Sequence, residues 1–129
     1  MPKQKPSTIK LQVFKGREAK LNKTIFHILV YKGPHTVTAL LKEIRKQRGQ
    51  QDTRDSVLRR RLEALEKQDY LMKVGTVKTR WGYDTPILGL TPRAELALFL
   101  AKTDLERFVK EANYSQLISA LDVFRSLPS

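Results

Sequence analysis

Three consecutive arginines, Arg59, Arg60 and Arg61, sit in a segment whose leucines recur at helical spacing. A guanidinium is permanently charged and offers a planar fork of N–H donors. That fork fits the paired acceptors of a guanine edge or the oxygens of a phosphate. At about 100° per residue, Leu58, Leu62 and Leu65 share one face of a helix, and Ser56, Arg60 and Lys67 lie roughly opposite, with Arg59 and Glu63 to one side. Arg54 stands near the start of the same segment. Arg54, Ser56, Arg59 and Arg60 are therefore the first candidates for binding a polyanion. Arg61 borders the leucine face, where packing of its stem or a salt bridge is the expected role. Glu63 leans to the outward side, where it would either accept from a cytosine amino group or repel phosphates.

A second group of cations surrounds Thr79-Arg80-Trp81-Gly82-Tyr83, which reads as the tip of a hairpin. Arg80 suits a narrow groove of negative potential, and Lys78 a phosphate. Trp81 would either touch the same ligand or pack on a sheet or a partner subunit. Lys3 and Lys5 lie in a polar amino-terminal stretch that reads as a basic arm over residues 1–7; it would track phosphates or have no role. Lys42, Arg45, Lys46 and Arg48 add sequence-independent attraction.

The charge distribution supports a polyanionic partner. The 129 residues carry 25 Lys and Arg against 13 Asp and Glu, a formal net charge of +12. Residues 1–61 hold all of that excess, and residues 62–129 are balanced. One half is thus read as attracting an anionic partner, the other as packing. The absence of cysteine excludes disulfides, thiol catalysis and cysteine-based zinc sites. His27 and His35 are too far apart in the sequence to make a convincing metal pair, so neither metal nor cofactor is expected. No apolar run approaches the ~18 residues of a spanning helix, and no signal-peptide core is visible; a cytoplasmic, nucleoid-associated protein is expected. With no phosphate-binding glycine loop and no nucleophile–base arrangement, an enzyme is not expected.

Alternation over residues 8–14, with Ile9, Leu11 and Val13 on one face, predicts a strand. Helices follow over about 17–31, 38–47 and 53–68, the second capped by Thr38 and the third by Asp52 or Thr53. Strands over 70–79 and 84–90 flank the hairpin tip. Thr91 and Pro92 open a further helix, apolar almost all round from Ala94 to Ala101. A last helical stretch spans 104–124, with a break possible at Asn113-Tyr114-Ser115. Phe14, Phe26 and Tyr31 are expected in the core. Leu117, Ile118, Leu121 and Phe124 form a carboxy-terminal apolar stripe that must cover the domain or meet a second copy.

The order of helices and hairpin, together with three segments, resembles the winged helix-turn-helix domain of bacterial and archaeal transcription regulators. Leu21–Leu40 is similar to that family's passage from first to second helix, Val57–Leu71 to its recognition helix and the start of its wing, and Leu90–Glu95 to the segment after the wing. The similarity covers about residues 17–102 and departs at Asp69, where glycine is usual. It implies an α+β, mostly helical fold: a three-helix core and β-hairpin wing over residues 8–102, then a carboxy-terminal helical dimerisation segment over 103–129. It implies double-stranded DNA as partner, helix 53–68 in the major groove, wing 71–90 on the adjacent minor groove or backbone, and a homodimer. A nucleoid or replication-associated binder without sequence preference, and a protein-interaction module, share the fold and stay open as alternatives. An effector ligand cannot be read from these residues.

Overall fold

A computed structural model describes residues 10–128. The basic arm with Lys3 and Lys5, and Thr8 and Ile9, lie outside the described residues. A 3-10 turn over Gln12–Phe14 precedes helices α1 (Ala19–Tyr31), α2 (Val37–Arg45) and α3 (Asp55–Lys67). Strands β1 (Leu71–Lys78) and β2 (Asp84–Leu90) follow, then helices α4 (Pro92–Lys102), α5 (Leu105–Glu111) and α6 (Tyr114–Ser126).

The expected strand before α1 is not formed. Val13 and Phe14 are both buried although adjacent, which an alternating strand does not permit. The 3-10 turn points both inward, and the buried Asn22 of α1 holds it by donating from Nδ2 to the Val13 carbonyl at 2.8 Å. Phe14 then meets Phe26 edge-to-face, with ring centroids 5.3 Å apart.

Leu40 and Ile44 of α2 and Leu58, Leu62 and Leu65 of α3 close a core around Ile25 and Phe26 of α1. Leu71, Leu88, Ala94, Ala97 and Leu98 extend it to the hairpin and α4. α1 packs on α2, α4 and β2, and α3 packs on α2 and β1. The strands pair antiparallel from Leu71↔Leu90 to Lys78↔Asp84, with a bulge between Lys73 and Gly75. His35 exchanges two backbone hydrogen bonds with Leu88, at 3.0 and 2.8 Å, tying the α1–α2 connection to β2. Hence the cap of α2 lies two residues before the expected Thr38: the chain leaves this bridge extended, and Thr36 caps the helix by accepting from the Ala39 amide. At α3, Arg54 occupies the cap position without a side-chain bond. Asp52 and Thr53 therefore stand outside the cap, and the Thr53 hydroxyl donates to the Gln50 carbonyl at 2.8 Å. Tyr31 is also not in the core. It is 63% exposed, and its hydroxyl accepts from Lys102 Nζ at 2.9 Å.

The expected carboxy-terminal helix is divided at Ala112 and Asn113. Asn113 and Gln116 form a reciprocal capping box that starts α6 afresh. No residue of α5 or α6 is buried. No helix among the described residues is long and apolar enough to cross a membrane.

One turn holds α3, the hairpin and α4 together. Asp69 adopts φ +64°, the one positive φ at a non-glycine residue among those described. Its carbonyl accepts from the buried Thr91 hydroxyl at 2.6 Å, while Thr91 Oγ1 itself accepts from the Ala94 amide and caps α4. The departure from glycine at Asp69 thus falls on a position that does need a left-handed backbone. Asp69→Gly is expected to leave stability nearly unchanged, and Asp69→Val to lower it by about 1–2 kcal/mol. Urea denaturation of the two variants checks this.

Candidate nucleic-acid interface

The packing of α3 separates the three arginines. With Leu58, Leu62 and Leu65 buried, Ser56, Arg60, Glu63 and Lys67 are exposed on the far side of the helix. Arg59 is tied to its own helix, donating from Nε to Asp55 Oδ2 at 2.7 Å. Arg61 turns inward: its side chain is 14% exposed and its Nη1 sits 2.8 Å from Glu18 Oε2. Arg60, between them, has no ion-pair partner among the described residues. Glu63 lies 3.7 Å from Lys67 on the same face, a distance that leaves both largely solvated. Val57, 44% exposed, adds an apolar patch beside Ser56.

Two cations that the sequence reading passed over join this end of α3. Arg17, two residues before α1, and Lys20, in its first turn, line with Gln50, Asp52, Arg54 and Val57 a groove of about 330 Å³. Lys20 Nζ lies over Gly49, 2.8 Å from where a β-carbon would stand. A side chain at residue 49 would displace the ammonium from this position, and the left-handed φ of +80° there independently favours glycine. Nothing in the sequence marks Arg17 and Lys20 beyond their charge; the fold brings them to a helix more than thirty residues away.

Other cations are less available than their number implies. Lys32 and Lys46 both bond Glu43, at 2.6 and 3.0 Å, and these bonds hold its carboxyl down at about 2. Arg45 Nε donates to the Thr53 carbonyl at 3.0 Å, stapling the α2–α3 turn. Lys42 and Arg48 are exposed.

The hairpin carries the second set. Its tip closes through Thr79 and Tyr83, with Gly82 at φ +83°. Lys78 and Arg80 are exposed on either side of Thr79. Trp81 is 76% exposed, and its ring has the Arg80 guanidinium 6.0 Å from its centroid. That exposure leaves most of the ring open to a ligand or a second copy.

His27 is partly buried on α1. Partial burial and the neighbouring Lys102 and Lys23 push its titration below the usual range. Leu117 is half-buried, while Ile118, Leu121 and Phe124 are exposed along α6.

Three helices, a bridge from the first inter-helix connection to the sheet, and a two-stranded hairpin after the third helix define a winged helix-turn-helix, followed here by further helices. A solved structure that the chain resembles is the transcriptional regulator BldR from Sulfolobus solfataricus, at 20% identity and a TM-score of 0.45, over 88% of this chain and 81% of that one. No protein-family model matches the sequence, and no curated protein matches it.

Glu43 gives a pH test of the cation inventory. Its folded-state value lies below its ordinary 4.5. The stability it lends is therefore present above about pH 4.5 and is lost as pH falls toward 2. Carbon-13 titration of the Glu43 carboxyl should show a midpoint near 2, returning to the ordinary range in a Lys32→Gln/Lys46→Gln variant.

Proposed function

We propose that this chain binds double-stranded DNA as a homodimeric transcription regulator, with α3 in the major groove and the wing on the adjacent minor groove or backbone. The observation that carries the reading is the division of α3: a leucine face committed to the core and an opposite face presenting Ser56 and an ion-pair-free Arg60. A recognition helix needs both faces. Arg60 bonds a guanine edge by its fork, Ser56 a base or phosphate, and Val57 meets a thymine methyl. Arg54, with Arg17 and Lys20, holds phosphates at the start of α3, while Lys78 and Arg80 hold the backbone or minor groove at the wing. Lys3 and Lys5 track phosphates further along. Arg59 binds only after exchanging Asp55 for a phosphate, which makes it a weaker contributor than Arg60. Net positive charge confined to residues 1–61 supplies the long-range attraction.

The dimer is proposed through α6. Leu117, Ile118, Leu121 and Phe124 repeat at helical spacing, and a two-fold contact brings the same patch of each copy together. Residues 62–129 carry balanced charge, so two copies can meet there without the repulsion that the basic half would impose. Two recognition helices then reach half-sites about one helical turn apart.

The reading is tested by titrating random and selected duplexes over a salt series. The wild-type chain should bind random duplex at low salt, with affinity falling linearly on a logarithmic salt scale. Arg60→Ala should cost about 1–3 kcal/mol on a selected site, and Arg59→Ala less. No binding of any duplex at low salt overturns the proposal. A selected-to-random ratio near unity leaves a binder without sequence preference in its place. For the dimer, Leu121→Asp should halve the mass in sedimentation while circular dichroism is unchanged, because Leu121 is already exposed. An unchanged mass removes α6 as the interface.

A further inference from the structure

Behind α3, away from its outward face, the 3-10 turn, the start of α1, the end of α3 and the start of α4 enclose a cleft of about 370 Å³. This is within the range of small-ligand sites. Lys15, Arg61 and Arg93 converge on it, with Glu18 as its one acidic lining residue and Gln68 and Tyr70 as neutral polar groups. Arg61 is the anomaly. Its side chain is 14% exposed, yet its ion pair is with a single oxygen of Glu18, a side chain that is itself 64% exposed. Its Nε is fully buried and has no hydrogen-bond partner among the described residues. A desolvated guanidinium ordinarily meets an oxyanion through two parallel bonds. An orphaned N–H in that position costs free energy that a second acceptor would recover.

The rim cations are also only loosely committed. Arg93 Nε is 3.3 Å from Asp69 Oδ2, both side chains being about two-thirds exposed. Lys15 is exposed and has no ion-pair partner among the described residues.

We propose that this cleft is a binding site for a small, multiply charged oxyanion, a phosphate group above all, and that Glu18 is its resident competitor. The incoming oxyanion displaces the Glu18 carboxylate from Arg61, offers the second oxygen that Glu18 does not deliver, and is held at the rim by Lys15 and Arg93. Arg61 is paired with Glu18 and Arg93 with Asp69, both exposed carboxylates, so a ligand of charge two or more competes for the three cations better than a simple carboxylate. The proposal stands apart from the DNA reading, because none of its residues belongs to the outward face of α3 or to the wing.

Isothermal titration with inorganic phosphate, against sodium chloride of equal ionic strength, tests it on the full chain. Saturable one-to-one binding is expected. Glu18→Gln should tighten it by about twofold to fivefold, since removing an exposed competing charge is worth up to about fivefold. Lys15→Gln and Arg93→Gln should each weaken it by a similar factor, and Lys23→Gln, on the other side of α1, should not change it. These side chains are exposed, so the variants are expected to fold, and circular dichroism verifies it. The Arg61 Nε–H resonance should shift with phosphate and saturate at the same concentration. Heats that match sodium chloride, or affinity that Glu18→Gln leaves unchanged, overturn the proposal. So does loss of duplex affinity in Arg93→Gln without any binding of free phosphate, which would make the cleft a contact for the DNA backbone.

Discussion

Everything the outward face of α3 can do depends on how the helix is rotated, and that rotation is set by Leu58, Leu62 and Leu65. Their burial leaves no freedom about the helix axis, because a turn of about 100° would bring a charged residue into a close-packed core. The same constraint gives three adjacent, chemically identical side chains three different situations. Arg59 is folded back on Asp55, Arg60 is open, and Arg61 is carried into the flank of the domain against Glu18. A run of arginines is thus not one patch of charge but three environments one hundred degrees apart.

The three core helices, the hairpin and the cap of α4 are legible in the sequence because each is specified locally. Leucine periodicity, glycine at Gly33 and Gly82, and Thr91 before Pro92 all act within a few residues of where they stand. The Asp69 turn is legible for the same reason, since a left-handed residue between α3 and β1 shows as a departure from glycine that aspartate tolerates. What is not legible is decided across the fold. Ile9, Leu11 and Val13 alternate like a strand over residues 8–14, but Asn22 of α1 takes the Val13 carbonyl and residues 12–14 fold into a 3-10 turn. Tyr31 has helical spacing with the core, yet stands at the end of α1, where Lys102 of α4 draws its hydroxyl to the surface. Arg17 and Lys20 lie more than thirty residues from Arg54 and become its neighbours only when α1 crosses the end of α3.

The formal charge likewise overstates the field that a ligand meets. Glu43 alone occupies two lysines, and Arg45 is spent on a backbone carbonyl. Screening over about 10 Å at ordinary ionic strength makes the remaining surface cations local actors. What distinguishes the α3 end is therefore not its share of the total but that Arg17, Lys20 and Arg54 line one groove, together with Asp52, and that neither they nor Arg60 have an ion-pair partner among the described residues.

The carboxy-terminal helices pose the opposite problem, one of too much apolar surface for the charge around it. α5 is laced by Arg107–Glu111 and Lys110–Glu106 pairs four residues apart, solvent-screened pairs that add little to a helix. α6 is thirteen residues long, near the length at which isolated helices are marginal in water. Its capping box fixes where the helix begins, but a cap contributes only about 1 kcal/mol. Burying one leucine or phenylalanine contributes about 1.5–3 kcal/mol, so covering Ile118, Leu121 and Phe124 outweighs every local contribution to this helix. Its order and its apolar stripe are then one question: the surface that covers the stripe is the surface that stabilises the helix. On the proposed dimer, α6 is held by its copy, and the spacing of the two recognition helices inherits the geometry of that contact.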